Sequence, residues 1–167
     1  NNSTTGNAVL NISAGEVVCN QYIGIRQFAN STTHENTVNV TGGKVVGGNT
    51  SIWMQNPNSN ANKATVAISG ADYENDNYPI IEGRLLADES TGFSFAVTGG
   101  LFDTDVNAFC AEGYASYELS DGTWGVESTV VDELTLVDGE FTEFVNQNDK
   151  TVGTLTYERT LPAAGNW

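Results

Sequence analysis

The chain has 167 residues, with 21 acidic side chains against 6 basic ones, and a formal net charge of −15. The length fits one domain with a sizeable core, whereas the acidity argues against a nucleic-acid backbone or an anionic membrane as partner, since both require a Lys/Arg surplus. No apolar run reaches the ~20 residues of a membrane-spanning helix and no signal-peptide pattern is legible, so membrane insertion is not expected.

Four related segments follow one another along the chain. The first is Leu10-Asn11-Ile12-Ser13-Ala14-Gly15 and the second Val38-Asn39-Val40-Thr41-Gly42-Gly43. The third is Val66-Ala67-Ile68-Ser69-Gly70-Ala71 and the fourth Phe95-Ala96-Val97-Thr98-Gly99-Gly100. Their second aliphatic position recurs at 12, 40, 68 and 97, in steps of 28, 28 and 29. Each segment alternates apolar and polar, which is the period of a strand with one face in and one out. The small residues that close it permit a sharp turn. A second apolar cluster trails each of the first three segments, at Ile23/Ile25, Ile52/Met54 and Ile80/Ile81.

A repeat of this length predicts an all-β solenoid in which every strand pairs in parallel with its counterpart one coil along. The expected architecture is a parallel β-solenoid of about four coils of ~28 residues over 1–116. Leu10, Ile12, Val38, Val40, Val66, Ile68, Phe95 and Val97 would form its inward stack. An antiparallel β-sandwich with look-alike strands is the competing architecture. Residues 117–167 depart from the repeat. There Ser120-Asp121-Gly122-Thr123 signals a hairpin between Tyr117–Leu119 and Trp124–Val126. Further strands are expected at 133–137, 140–145 and 152–159, as a β cap or the start of another β domain.

The charge is uneven. Residues 1–71 carry +1 and residues 72–167 carry −16. Within the acidic part, Asp72, Glu74 and Asp76, with Asp103 and Asp105 one coil later, are weak candidates for a Ca²⁺ site, because stacked loops could bring their carboxylates together. Tyr22, Trp53 and Tyr78 fall near the predicted second strands and are candidates for stacking sugar rings if they face outward. His34 is the single histidine and lies in a polar loop, so nucleophilic triad chemistry has little support. Three coil steps of about 4.8 Å hold Cys19 and Cys110 roughly 14 Å apart, beyond the reach of a disulfide, so two free, largely buried thiols are expected.

Gly99-Gly100-Leu101-Phe102-Asp103-Thr104-Asp105-Val106, with Ala111-Glu112-Gly113-Tyr114 and Asp121-Gly122-Thr123-Trp124, resembles the closing unit of pectate-lyase-like right-handed parallel β-helix regions. Those regions belong to large extracellular proteins of anaerobic gut bacteria. The resemblance covers most of 9–167 and implies an extracellular or cell-surface module, part of a longer chain. It specifies architecture better than activity, because the same fold also hosts polysaccharide lyases and hydrolases. A lyase of this fold would need Ca²⁺-binding acids and a base beside a uronate carboxylate, and only Arg26 and Arg84 fall near the second strands. The repeat, taken with the missing catalytic set, leads to a non-catalytic stalk, adhesin or glycan-contacting element. Its partner would be a host or dietary glycan or a host surface protein. A carbohydrate-active enzyme and a subunit self-associating through its solenoid ends stand as alternatives.

Overall fold

The computed structural model describes residues 6–57, 61–71, 77–129, 144–145 and 151–153, and the fold is all-β. The chain divides into two compact units, Asn1–Glu127 and Ser128–Trp167. In the first, β1 (Ala8–Ile12), β4 (Glu35–Val40), β6 (Lys63–Ile68) and β8 (Gly92–Val97) form a four-stranded sheet in that order. A second sheet contains β2 (Glu16–Cys19), β3 (Ile23–Phe28), β5 (Lys44–Gln55), β7 (Ile80–Ala87) and β9 (Leu101–Phe102), with the hairpin β10 (Tyr114–Glu118) and β11 (Trp124–Ser128) at one edge. In the second unit, β12 (Phe144–Val145) pairs antiparallel with β13 (Thr151–Gly153). The other residues of the three expected C-terminal strands lie outside the described residues.

Every pairing in the four-stranded sheet is parallel, not the antiparallel arrangement of a sandwich. Ile12 partners Val40, Val40 partners Ile68, and Ile68 partners Val97. The alternation read from the sequence explains this register, since a slip of one residue would turn every aliphatic side chain out to water. Val38, Val40, Val66, Ile68 and Val97 are fully buried, whereas Leu10, on the end strand, is 36% exposed. The small residues after each strand make the expected turn: Gly15, Gly43, Gly70 and Gly100 take φ of 78°, 74°, 112° and 110°.

The second sheet corrects two expectations. The first repeat contributes three strands rather than two, because β2 and β3 pair with successive halves of the long β5, which the second repeat runs as one strand. Ile80 and Ile81 are also not the counterparts of Ile52 and Met54. They pair instead with Lys44 and Val45, while Ile52 lies between Ile25 and Leu85. The third repeat carries a longer connection between Ile68 and Ile80, so equal spacing along the chain no longer means equal position in the sheet. The inner faces of both sheets share one core, in which Val45, Ile52, Met54, Ile81, Leu85, Phe102 and Val126 meet the valines and isoleucines of the first sheet.

Three buried amides, Gln27, Asn36 and Asn62, run through one side of this core. Gln27 Nε2 donates to the Asn36 carbonyl at 2.5 Å, Asn36 Nδ2 to Phe28 O at 2.9 Å, and Asn62 Nδ2 to Ala29 O at 2.9 Å. Two of these acceptors, Phe28 O and Ala29 O, lie at the end of β3 and just after it, while Asn36 O belongs to β4. The donor ends of the amides are thus satisfied, whereas Gln27 Oε1 and Asn36 Oδ1 are buried with no hydrogen-bond partner among the described residues.

At the far end the stack closes. Cys110 forms a parallel bridge to Val97, and Ala111 N–H donates to Val97 O at 3.0 Å. The Phe109 ring tilts against Phe95 with centroids 4.6 Å apart. The hairpin forms where Asp121-Gly122 predicted it, and β11 pairs antiparallel with β9 through Trp124–Phe102 and Gly125–Leu101. Both cysteines are free thiols, but half-buried rather than closed off, and burial pushes the Cys110 thiol up from its ordinary pKa.

Candidate functional site

On the second sheet, alternation sends Ile25, Gln27, Ile52, Met54 and Leu85 into the core. The residues between them face outward. Arg26, Trp53 and Leu86 are register partners across three strands, and Phe28 pairs with Gln55 one pleat further on. Parallel pairing thus puts a cation, two aromatic rings and an amide on one outer face, although they are far apart in the chain.

The face is held in a defined arrangement. Trp53 Nε1–H donates to Asp88 Oδ1 at 2.9 Å, and the other oxygen of that carboxylate accepts the Asn56 N–H at 2.9 Å. Asn56 Nδ2 donates to Glu89 O at 2.8 Å. Arg26 Nε donates to Gln55 Oε1. The Arg26 guanidinium lies over the Phe28 ring at 5.1 Å from its centroid and over the Trp53 ring at 5.9 Å, which is cation–π range. These fixed partners remove much of the rotamer freedom that a ligand would otherwise have to freeze. What results is a pre-arranged surface of flat rings, flat polar groups and a carboxylate. It offers stacking and hydrogen bonds, the interactions by which hydroxyl-rich rings are held, rather than a nucleophile with a base.

Of the three aromatic candidates only Trp53 lies on this face. Tyr22 is in the β2–β3 turn, 71% exposed, where its carbonyl accepts the N–H groups of Asn49 and Thr50. Tyr78 precedes β7, beside Ile80, whose N–H donates to Gly43 O. The three therefore do not form one column: Trp53 is in a strand, Tyr22 in a turn and Tyr78 ahead of β7. Arg26, Gln55 and Asp88 complete the face around Trp53. Their proximity was hidden because the Arg26–Trp53 pair depends on how β5 bends between its halves, which no spacing rule conveys.

Asp72, Glu74 and Asp76 lie outside the described residues. Asp103 Oδ2 accepts the Gly83 N–H of β7 at 2.8 Å, and Asp105 Oδ1 accepts the Ser116 hydroxyl and the Asn107 N–H. Among the described residues no three His, Cys, Asp or Glu side chains stand together as metal ligands. His34 is half-buried in its polar loop, with its N–H donating to Ser31 Oγ at 2.9 Å. Lys44 reaches Glu82 at 2.5 Å, and that bond raises its pKa.

The Asp105 bonds carry a pH prediction. The Ser116 hydroxyl, followed by the Asn107 N–H, holds this carboxyl below its ordinary pKa. Its contribution to stability is therefore complete above the unfolded value of about 3.9 and disappears as pH falls through the lower folded value. Ser116→Ala is expected to move the Asp105 titration upward, as followed by NMR. Asp105→Asn should lose stability above about pH 4 and converge on wild type in stronger acid. An unchanged gap across that window would detach Asp105 from the acid response.

Comparison with known protein families, with curated proteins and with solved structures found no match. The functional reading therefore rests on the register and on the outer face of β3, β5 and β7.

Proposed function

We propose that the chain is a right-handed parallel β-helix module of an extracellular or cell-surface protein, without catalytic activity, whose outer strands contact a glycan. The parallel register supports this reading: the strands of each of the first three repeats are partnered in parallel by strands one repeat along. Such stacking sets successive outward side chains about 4.8 Å apart in straight columns. Flat ladders of this kind suit an extended polymer better than a small substrate. Asn39 Nδ2 donating to Asn11 Oδ1 at 2.8 Å is one such ladder on the first sheet. The Arg26–Trp53–Asp88 face supplies the most structured contact point on the second. The resemblance of the closing unit to pectate-lyase-like surface regions agrees with this assignment.

The test is a polysaccharide and glycan array probed with the intact chain, with and without calcium. Binding is expected in both conditions, and Trp53→Ala should weaken it at least tenfold, about 1.4 kcal/mol. Asp88→Ala should weaken it too, because Trp53 loses the carboxylate that orients its ring. Absence of binding in both conditions would overturn the glycan contact. Cleavage of a polysaccharide by the chain would overturn the non-catalytic assignment.

A further inference from the structure

The hydrogen bonding that orients Trp53 does not end at Asp88. That carboxylate is held from its other side by Asn56, whose N–H donates to Asp88 Oδ2 at 2.9 Å and whose Nδ2 donates to Glu89 O at 2.8 Å. Asn56 Oδ1 in turn accepts Asn62 Nδ2 at 3.0 Å. Asn62 is only 1% exposed, whereas Asn56 and Asp88 are half-buried. Through Asn56, a run of hydrogen bonds therefore leads from a buried amide to the indole N–H on the outer face.

Asn62 is the fixed end of this run. A carboxamide nitrogen carries two hydrogens, and burial makes an unpaired one costly. Asn62 places one on Ala29 O at 2.9 Å and the other on Asn56 Oδ1. Its own carbonyl accepts the Ser90 hydroxyl at 2.7 Å. The Gly92 main chain lies so near that an added Cβ would stand 2.5 Å from the same carbonyl oxygen. Ala29 follows β3, Asn56 follows β5 and Ser90 follows β7, so one residue joins the corners of three successive strands of the second sheet. The Asp88-Glu89-Ser90 corner is thus gripped along its whole length, by Asn56 at its first two residues and by Asn62 at its third.

A half-buried ring and carboxylate facing water would otherwise sample several rotamers, and a ligand would have to freeze them. Order imposed from inside the stack removes that cost before the ligand arrives.

We propose that Asn62 is a positioning residue for the outer face: it touches no ligand, but fixes Asn56 and the Asp88–Ser90 corner and, through them, the Trp53 ring. Its effect on binding rests on the glycan contact proposed above, whereas its effect on the ring is measurable without any ligand.

The measurement is the Trp53 indole N–H resonance of the full chain, assigned by its loss in Trp53→Phe. Two variants are compared. Asn62→Ala removes the buried donor. Asn56→Ala leaves Asn62 bonded to Ala29 and keeps the main-chain N–H on Asp88, so it breaks the run even where Asn62→Ala fails to fold. In each folded variant, checked by circular dichroism, the Trp53 resonance should shift toward its position in Asp88→Ala and exchange with solvent about tenfold faster or more. The Trp124 resonance, from β11, should stay in place. Adding Asn56→Ala to Asp88→Ala should displace Trp53 little further, because both act on the same ring. Any polysaccharide of the array that wild type binds should be bound about threefold more weakly or worse by both variants. An unmoved Trp53 resonance, an equal displacement of Trp124, full additivity in the double variant, or unchanged affinity for a bound polysaccharide would each overturn the proposal. A displaced indole in a chain that binds no glycan would confirm the positioning of the ring and overturn only the glycan contact.

Discussion

Ile68→Ala is expected to destabilise the first unit by about 2–5 kcal/mol, in the upper part of that range. Ile68 is fully buried and lies between Val40 and Val97 in the central column of the four-stranded sheet. The cost of a truncated core side chain depends on how far its surroundings can close over the space. Here the neighbours above and below belong to strands fixed by main-chain ladders at about 4.8 Å spacing, so the strands cannot approach each other to fill it. Val9→Ala is the internal comparison. It removes an aliphatic side chain from the same sheet, but one that is 60% exposed, and should change stability by no more than about 0.5 kcal/mol. Urea unfolding monitored by Trp fluorescence measures both. Equal losses in the two variants would mean that the column is not the support of the fold.

That column was readable in the sequence because three signals coincide in it: alternation, the residue at the turn, and a near-constant step. The second sheet was less readable for a physical reason. Its register is set by a bend in the middle of β5 and by the length of the connection before β7, and neither leaves a periodic trace. Ile80 and Ile81 have the composition of the other second-strand pairs yet lie beside Lys44 and Val45, because the longer connection after Ile68 delays their entry into the sheet. The outer face follows suit. Trp53 was visible as a large aromatic near a strand, but its bond to Asp88 and the approach of Arg26 are products of parallel pairing between strands roughly a repeat apart. The acidic positions are legible only in part, since Asp72, Glu74 and Asp76 lie outside the described residues. Asp105 accepts the Asn107 N–H and the Ser116 hydroxyl, as Asp beside a turn commonly does, while Asp103 accepts the Gly83 N–H across to β7, a contact that the sequence spacing does not convey.

The bend in the second sheet involves a close approach between two glycines, and Gly83→Ala is expected to be strongly destabilising, because it combines a main-chain clash with a positive φ. Gly83 has a φ of 95°, and a Cβ placed on it would lie 2.3 Å from the Gly47 carbonyl oxygen. Neither main chain is free to retreat. Ser51 Oγ donates to Gly83 O at 2.7 Å and to Arg84 O at 3.1 Å, while Gly83 N–H donates to Asp103 Oδ2 at 2.8 Å. The buried Ser51 hydroxyl thus ties the bend of β5 to β7, and any displacement of Gly83 stretches those bonds. A positive φ alone costs a residue with a side chain about 1–2 kcal/mol, and the clash with Gly47 adds to it, for an expected loss of at least about 3 kcal/mol. Gly122→Ala separates the two contributions. Gly122 has a similar φ of 85° in the hairpin turn, but nothing lies within 4 Å of its added Cβ. Thermal unfolding should therefore show a modest loss for Gly122→Ala and a much larger one for Gly83→Ala. Losses of the same size would assign the whole effect to backbone conformation and remove the Gly47–Gly83 contact as the reason the sheet bends where it does.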